Sequence, residues 1–185
     1  MAVKLILVRH GQTDWNKELR LQGVTDIPLN EEGKEQARET VEKLKKSGIE
    51  PYVVISSSLK RARCTSFIIS SAFGIPFAVH ENLIERNFGS LEGKNWKEIC
   101  KLYPDLKRKD RKQAYNYQPF GGESSLDVFK RLVGFINFVK NHYEGKTVII
   151  VTHAGVLRML FFMYRNQGLN FRQETKTGEY YRLEI

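Results

Sequence analysis

Three short apolar runs constrain this chain more than anything else in it. They are Val3-Lys4-Leu5-Ile6-Leu7-Val8, Tyr52-Val53-Val54-Ile55 and Val148-Ile149-Ile150-Val151. Short runs rich in Val, Ile and Leu read as strands buried on both faces of a sheet. Segments of helical period lie between them. Residues 31–46 place Ala37, Val41 and Leu44 on one stripe, with Asn30 as N-cap and Gly48 as stop. Residues 59–72, apolar at Leu59, Ala62, Phe67 and Ile68, form a second helix, and 126–142 and 156–166 two more. Phe77-Ala78-Val79 is a short third strand, and residues 179–185 form a last strand at the sheet edge. This alternation predicts an α/β fold: a three-layer, doubly wound, mostly parallel sheet with helices on both faces.

The length of 185 residues argues for a single domain spanning 1–185. Residues 82–124 form a loop-rich insertion, with weak helices at 96–102 and 106–115. From Lys94 to Tyr117 this insertion holds eight basic residues against three acidic ones, within a net charge of +9. It reads either as a solvated helix face or as a lid that steers an anionic substrate; a nucleic-acid patch is the weakest alternative. No apolar stretch approaches the roughly 18 residues that span a membrane. The N-terminal run is short and broken by Arg9-His10, unlike a secretory signal, so the expected location is cytoplasmic. Cys64 and Cys100 form no metal-ligand pair and are expected as free thiols. A cysteine-phosphatase loop at Cys64 fails, because Ser70 stands where that loop needs an arginine.

Ligands of open α/β sheets bind beyond the carboxyl ends of the strands. The first strand ends in Arg9-His10-Gly11, where glycine permits close backbone approach or a positive φ. The second leaves through Ser56-Ser57-Ser58 into a helix whose first turn carries Arg61, and the fourth ends in Thr152-His153-Ala154-Gly155. Two imidazoles and two guanidiniums thus converge on one crevice, at which two helix N-termini are also aimed. Such a pocket suits a dianion, most directly a phosphate.

The segment 7–16, LVRHGQTDWN, resembles the signature of the histidine phosphatase superfamily, which includes the cofactor-dependent phosphoglycerate mutases. Three further segments match its pattern in order: SSLKRARCT at 57–65, LIERNFG at 83–89 with Glu92-Gly93, and VTHAG at 151–155. The resemblance spans nearly the whole chain. It implies that His10 is the nucleophile and becomes phosphohistidine. Arg9, Arg61 and a protonated His153 would bind the phosphoryl oxygens, replacing a metal ion. Glu85 would protonate the leaving alcohol and later deprotonate water. Thr13, Asn16, Gln22, Gly23 and Ala154 would complete the phosphate pocket. His10 must be neutral to attack, so one of its ring nitrogens needs an orienting acceptor. Gly121-Gly122-Glu123-Ser124 resembles a loop of phosphatase members, making Glu123 a candidate pocket residue; otherwise it is a turn in which Ser124 or Ser125 caps the next helix.

Other residues have plainer readings. His80 and His142 match no motif and are expected at the surface, and Trp15 and Trp96 are expected in packing. The expected activity is hydrolysis of a small phosphomonoester (a sugar phosphate, nucleotide or ribazole phosphate) without metal or cofactor. Neither nucleic acid nor membrane is an expected partner, and a homodimer is compatible with the sequence. The Lys107-Arg108-Lys109 run would favour substrates with a second anionic group. The first alternative is a phosphoglycerate mutase, which the short chain and the Gly121–Ser124 loop disfavour. A metal-dependent hydrolase using His10, Glu85 and His153 would place a cation beside Arg9 and Arg61. A catalytically silent phosphate- or nucleic-acid-binding module would leave every catalytic position filled for no purpose.

Overall fold

Side chains alternate between the two faces of a strand, and in β1 (Lys4–Arg9) this sends Leu5 and Leu7 one way and Ile6 and Val8 the other. The same division runs through β2 (Val53–Ser56) and, after the short β3 (Phe77–Val79), through β4 (Thr147–Thr152). Every residue of β2 and nearly all of β4 is buried, as expected for strands covered on both sides. The computed structural model describes residues 1–104, 116–168 and 174–185. The sheet order is β3-β2-β4-β1-β5, and only β5 (Tyr180–Glu184), at the edge, runs antiparallel to its neighbour β1.

Helices fill both faces, giving the expected three layers. A short α1 (Asp14–Lys17) precedes α2 (Glu31–Lys46) and α3 (Lys60–Phe73). Val41 and Leu44 of α2 join Ala62 and Ile69 of α3 over Ile6, Val8, Val54 and Ile149. After α4 (Trp96–Leu102) come α5 (Ser125–His142) and α6 (Ala154–Met163). These last two cover the other face, packing Leu132, Phe135, Leu157 and Phe161 against Leu5, Leu7, Ile55 and Ile150. A third cluster is separate: Leu91, Ile99 and Tyr117, backed by Leu21, Phe88, Trp96 and Phe120. The described part of the 82–124 insertion thus has a small core of its own.

Most expected boundaries hold to within two residues. The final helix is shifted towards the sheet, starting at Ala154 because extended His153 is its N-cap, and ending at Met163 in a 3-10 turn. The expected helix at 106–115 and the Lys107-Arg108-Lys109 run lie outside the described residues. His80 departs from the surface reading: it is half-buried against Phe135 and Phe138, and its Nδ1 accepts from the Asn82 amide. His142 is exposed, as expected. Among the described residues no helix is long and apolar enough to cross a membrane.

Candidate active site

Parallel pairing sets the site. Arg9 of β1 is in register with Thr152 of β4, and Ser56 of β2 with Val151. His10 and His153 therefore leave adjacent strands at the same level, with ring centroids 5.0 Å apart. The His10 amide donates to the Thr152 carbonyl (3.0 Å) and the Ser57 amide to the Val151 carbonyl (3.0 Å), so sheet pairing continues into the site itself.

His10 is buried, and its Nδ1–H donates to the Gly11 carbonyl at 2.7 Å. That is the orienting acceptor the chemistry needs, and it leaves Nε2 with a free lone pair. Burial, then the charges of Arg61 and Arg9, hold the His10 pKa well below the ordinary imidazole range, so the ring is neutral. The loop is held rigidly. The Gly11 amide donates to Thr65 Oγ1 (3.1 Å), whose hydroxyl donates to the Arg61 carbonyl (2.9 Å). Gly11 is required by close approach: a Cβ there would lie 2.1 Å from the Gly33 carbonyl oxygen at the start of α2.

Arg61 is fully buried and held by three donors. Nη1 reaches the Thr25 carbonyl (2.8 Å), Nη2 the Gly23 carbonyl (2.7 Å) and Nε the unprotonated Nδ1 of His153 (3.3 Å). The loop carrying those carbonyls is fixed by Glu92, whose carboxylate accepts from the amides of Val24, Thr25 and Phe88. Arg9 donates through Nη1 to the Thr175 carbonyl. Burial, with Arg158 and Arg61 nearby and only partly offset by Glu85, lowers its pKa to about 10, which still leaves it charged at neutral pH.

His153 departs from the expected cation. Its Nδ1 accepts from Arg61, so the neutral ring carries its proton on Nε2, which donates to Ser57 Oγ at 2.8 Å. Burial, Arg61, His10 and Arg9 all push its pKa well below the usual range. A fully buried imidazole among two guanidiniums has no counter-charge that would keep a proton on it. Nor is His153 among the residues lining the cavity; it stands behind Arg61 and His10.

Glu85 is buried yet lines the cavity. One oxygen accepts from its neighbour's amide at Arg86 (2.8 Å), the other from the Gly155 amide (3.1 Å) at the start of α6. A Cβ on Gly155 would stand 2.5 Å from Glu85 Oε1, so the glycine lets the carboxylate approach the helix end.

Of the expected phosphate-pocket residues, Asn16, Gln22, Gly23 and Ala154 line the cavity. Thr13 is buried behind it, where its amide and hydroxyl both donate to Asn16 Oδ1 (3.0 Å each) and fix that side chain. Glu123 is not among the lining residues. Its carboxylate receives Arg131 Nε (3.0 Å) and the Asn87 amide (2.9 Å), and its carbonyl receives Arg86. Ser124, as expected, caps α5. Among the described residues, no three His, Cys, Asp or Glu side chains gather as a metal-binding group.

The cavity above this base has a volume of about 870 Å³. Its outer wall is apolar: Phe88, Trp96 and Tyr117 from the insertion, Leu126 and Phe129 from α5, Met159 and Phe162 from α6. Arg20, Arg86 and Arg158 also line it. None of these is assigned to the pocket by a motif, and Trp96 is the one with an expectation from sequence, that of packing. Only the adjacency of Arg86 to Glu85 hinted at more.

Strand-end histidines, paired arginines and a carboxylate thus surround one cavity. A profile of the histidine phosphatase superfamily (branch 1) matches residues 5–184. The chain belongs to that superfamily. An uncharacterized phosphatase PhoE of Bacillus subtilis is 38% identical over 154 residues, covering 83% of this chain and 73% of the relative. A metal-independent phosphoserine phosphatase of Arabidopsis thaliana is 36% identical over 162 residues, covering 86% and 68%. Among solved structures, Bacillus stearothermophilus YhfR superposes with a TM-score of 0.87 at 31% identity, covering 99% of this chain and 91% of that one. Phosphoglycerate mutases also occur among the similar proteins. The phosphoglycerate mutase-like α/β architecture expected from sequence is the one observed, in a phosphatase of this superfamily.

Proposed function

We propose that this phosphatase hydrolyses small phosphomonoesters, of the sugar phosphate, nucleotide or ribazole phosphate type, through a phosphohistidine on His10 and without a metal. The observation that carries the reading is the hydrogen bond from His10 Nδ1 to the Gly11 carbonyl, which leaves Nε2 unprotonated beside two buried guanidiniums. In the first step the Nε2 lone pair attacks phosphorus and the ester P–O bond breaks. The leaving oxygen takes a proton from the Glu85 carboxyl group. In the second, water attacks phosphorus while Glu85 takes its proton; the P–N bond electrons return to Nε2, releasing inorganic phosphate. Arg9 and Arg61 bind the phosphoryl oxygens and neutralise the charge that spreads over them. Their fixed positive charge opposes a metal ion at the same place. His153 contributes as the acceptor that orients Arg61, with its Nε2–H held by Ser57 Oγ.

The test is hydrolysis of p-nitrophenyl phosphate in excess EDTA by the intact protein and by His10→Ala. Turnover that survives the chelator and falls more than about 10⁴-fold in the variant is the expected result. Chelator-sensitive turnover, or activity retained by His10→Ala, overturns the mechanism. The mutases among the similar proteins favour a second reading, in which a phosphorylated sugar acid and not water accepts the phosphoryl group. That reading requires isolated phosphohistidine to discharge faster onto phosphoglycerate than onto water.

A further inference from the structure

Each arginine lining the cavity is held by protein groups, with one exception. Arg9 donates to the Thr175 carbonyl, Arg20 to Glu18 and the Gly93 carbonyl, Arg61 to the carbonyls of Gly23 and Thr25, and Arg86 to the Glu123 carbonyl. Arg158 is half-buried and has no hydrogen-bond or ion-pair partner among the described residues. Glu174, an acidic residue also lining the cavity, forms no ion pair with it. A half-desolvated guanidinium without a counter-charge is costly, and five N–H donors aimed at a cavity are suited to an anion.

Its place on the helix says which anion. Ala154 lines the cavity at the start of α6, beside His153, and Phe162 lies on the apolar wall at 43% exposure. Arg158 is midway, sharing a helical face with both at four-residue spacing. It stands about 6 Å along the axis from each. It is close enough to Arg9 to disfavour that charge. An anion held there would belong to the leaving group, several bonds from the transferred phosphorus, on a scaffold lying against Met159 and Phe162.

We propose that Arg158 is a specificity residue that reads a second anionic substituent, a carboxylate or a second phosphoryl group, on an otherwise apolar leaving group. The proposal rests on the phosphomonoesterase reading for the term "leaving group", but its test does not need turnover. Phenylphosphonate and 4-carboxyphenylphosphonate, which cannot be hydrolysed at oxygen, are titrated into the intact protein, Arg158→Gln and Arg158→Lys. In the intact protein the carboxylate tightens Kd by about tenfold. Arg158→Gln removes that ratio while phenylphosphonate binding stays within about threefold, and Arg158→Lys keeps part of the ratio. Each ratio is taken within one protein, so a loss of folded fraction cancels.

A ratio near one in the intact protein, or an equal ratio in Arg158→Gln, overturns the proposal. So does an equal loss of both ligands in Arg158→Gln, which would assign Arg158 to the transferred phosphoryl group. Carboxylate selectivity through Arg158 in a protein that hydrolyses no phosphomonoester would overturn the enzymatic reading and leave Arg158 as the anion reader of a binding site.

Discussion

At the base of the cavity Arg61 and His153 are wholly buried, whereas on its wall Leu126, Phe129 and Phe162 keep 57%, 36% and 43% of their surface exposed. The base is polar and most of its groups are hydrogen-bonded, whereas Arg9 Nε, Gln22 Oε1 and His10 Nε2 have no partner among the described residues. The wall is apolar and open. Charge stabilisation depends on groups that need not move as charge develops, so the base must be preorganised. The wall asks less: its apolar surface gains by being covered, and the occupant need not be held to a fraction of an ångström. Chemistry and recognition are thus carried by different materials, joined along α6, where Ala154 and Gly155 serve the base and Met159 and Phe162 the wall.

If that division holds, substitutions at the base should act on kcat and those on the wall on KM. After the loss of the nucleophile itself, the largest expected effect is at Gly155. In Gly155→Ala the new methyl meets Glu85 Oε1, and moving that carboxylate by about 1 Å should lower kcat roughly 100-fold. KM for p-nitrophenyl phosphate should change little. A kcat within a factor of three of the intact enzyme would show that the base is not rigid.

The second effect is on stability. The folded pKa values of His10 and His153 lie below the unfolded one, so in acid the unfolded chain binds more protons than the folded one. Stability is therefore complete above about pH 6.5 and falls with acid until the folded pKa values are reached. The slope is up to about 1.4 kcal/mol per pH unit for each histidine. Urea titrations at pH 7.5 and 5.5 measure it, and His10→Asn should remove about half. A flat profile would mean that these imidazoles are not buried neutral.

The smallest effect is on the wall. Phe129→Ala should raise KM for 1-naphthyl phosphate about fivefold through lost apolar contact, with kcat nearly unchanged. A fall in kcat like that of Gly155→Ala would place the wall within the catalytic machinery and end the distinction.

The two regions also differed in how far they could be read from sequence. Arg9, His10, Arg61 and His153 were found because strand ends are locally marked by an apolar run and its break, and parallel pairing brings such ends together. The protonation state of His153 is not legible in the same way, because residue types do not reveal that Arg61 Nε is its hydrogen-bond partner. Glu123 was placed in the pocket by resemblance, yet Arg131 and the Asn87 amide occupy its carboxylate. Both corrections concern which neighbour a side chain meets, and that depends on contacts between distant segments.

By itself the sequence determined the layered α/β architecture, the set of strands that end together and the chemical groups they deliver. These follow from periodicity and chain order, which are local properties. The tertiary structure alone decided the tautomers of His10 and His153, the apolar wall and the lack of a partner for Arg158 among the described residues. Trp96 and Tyr117 come from the insertion, Phe129 from α5 and Phe162 from α6, and each alone looks like an ordinary core or surface residue. They form one surface only because the insertion packs on its own small core while α5 and α6 share a face of the sheet.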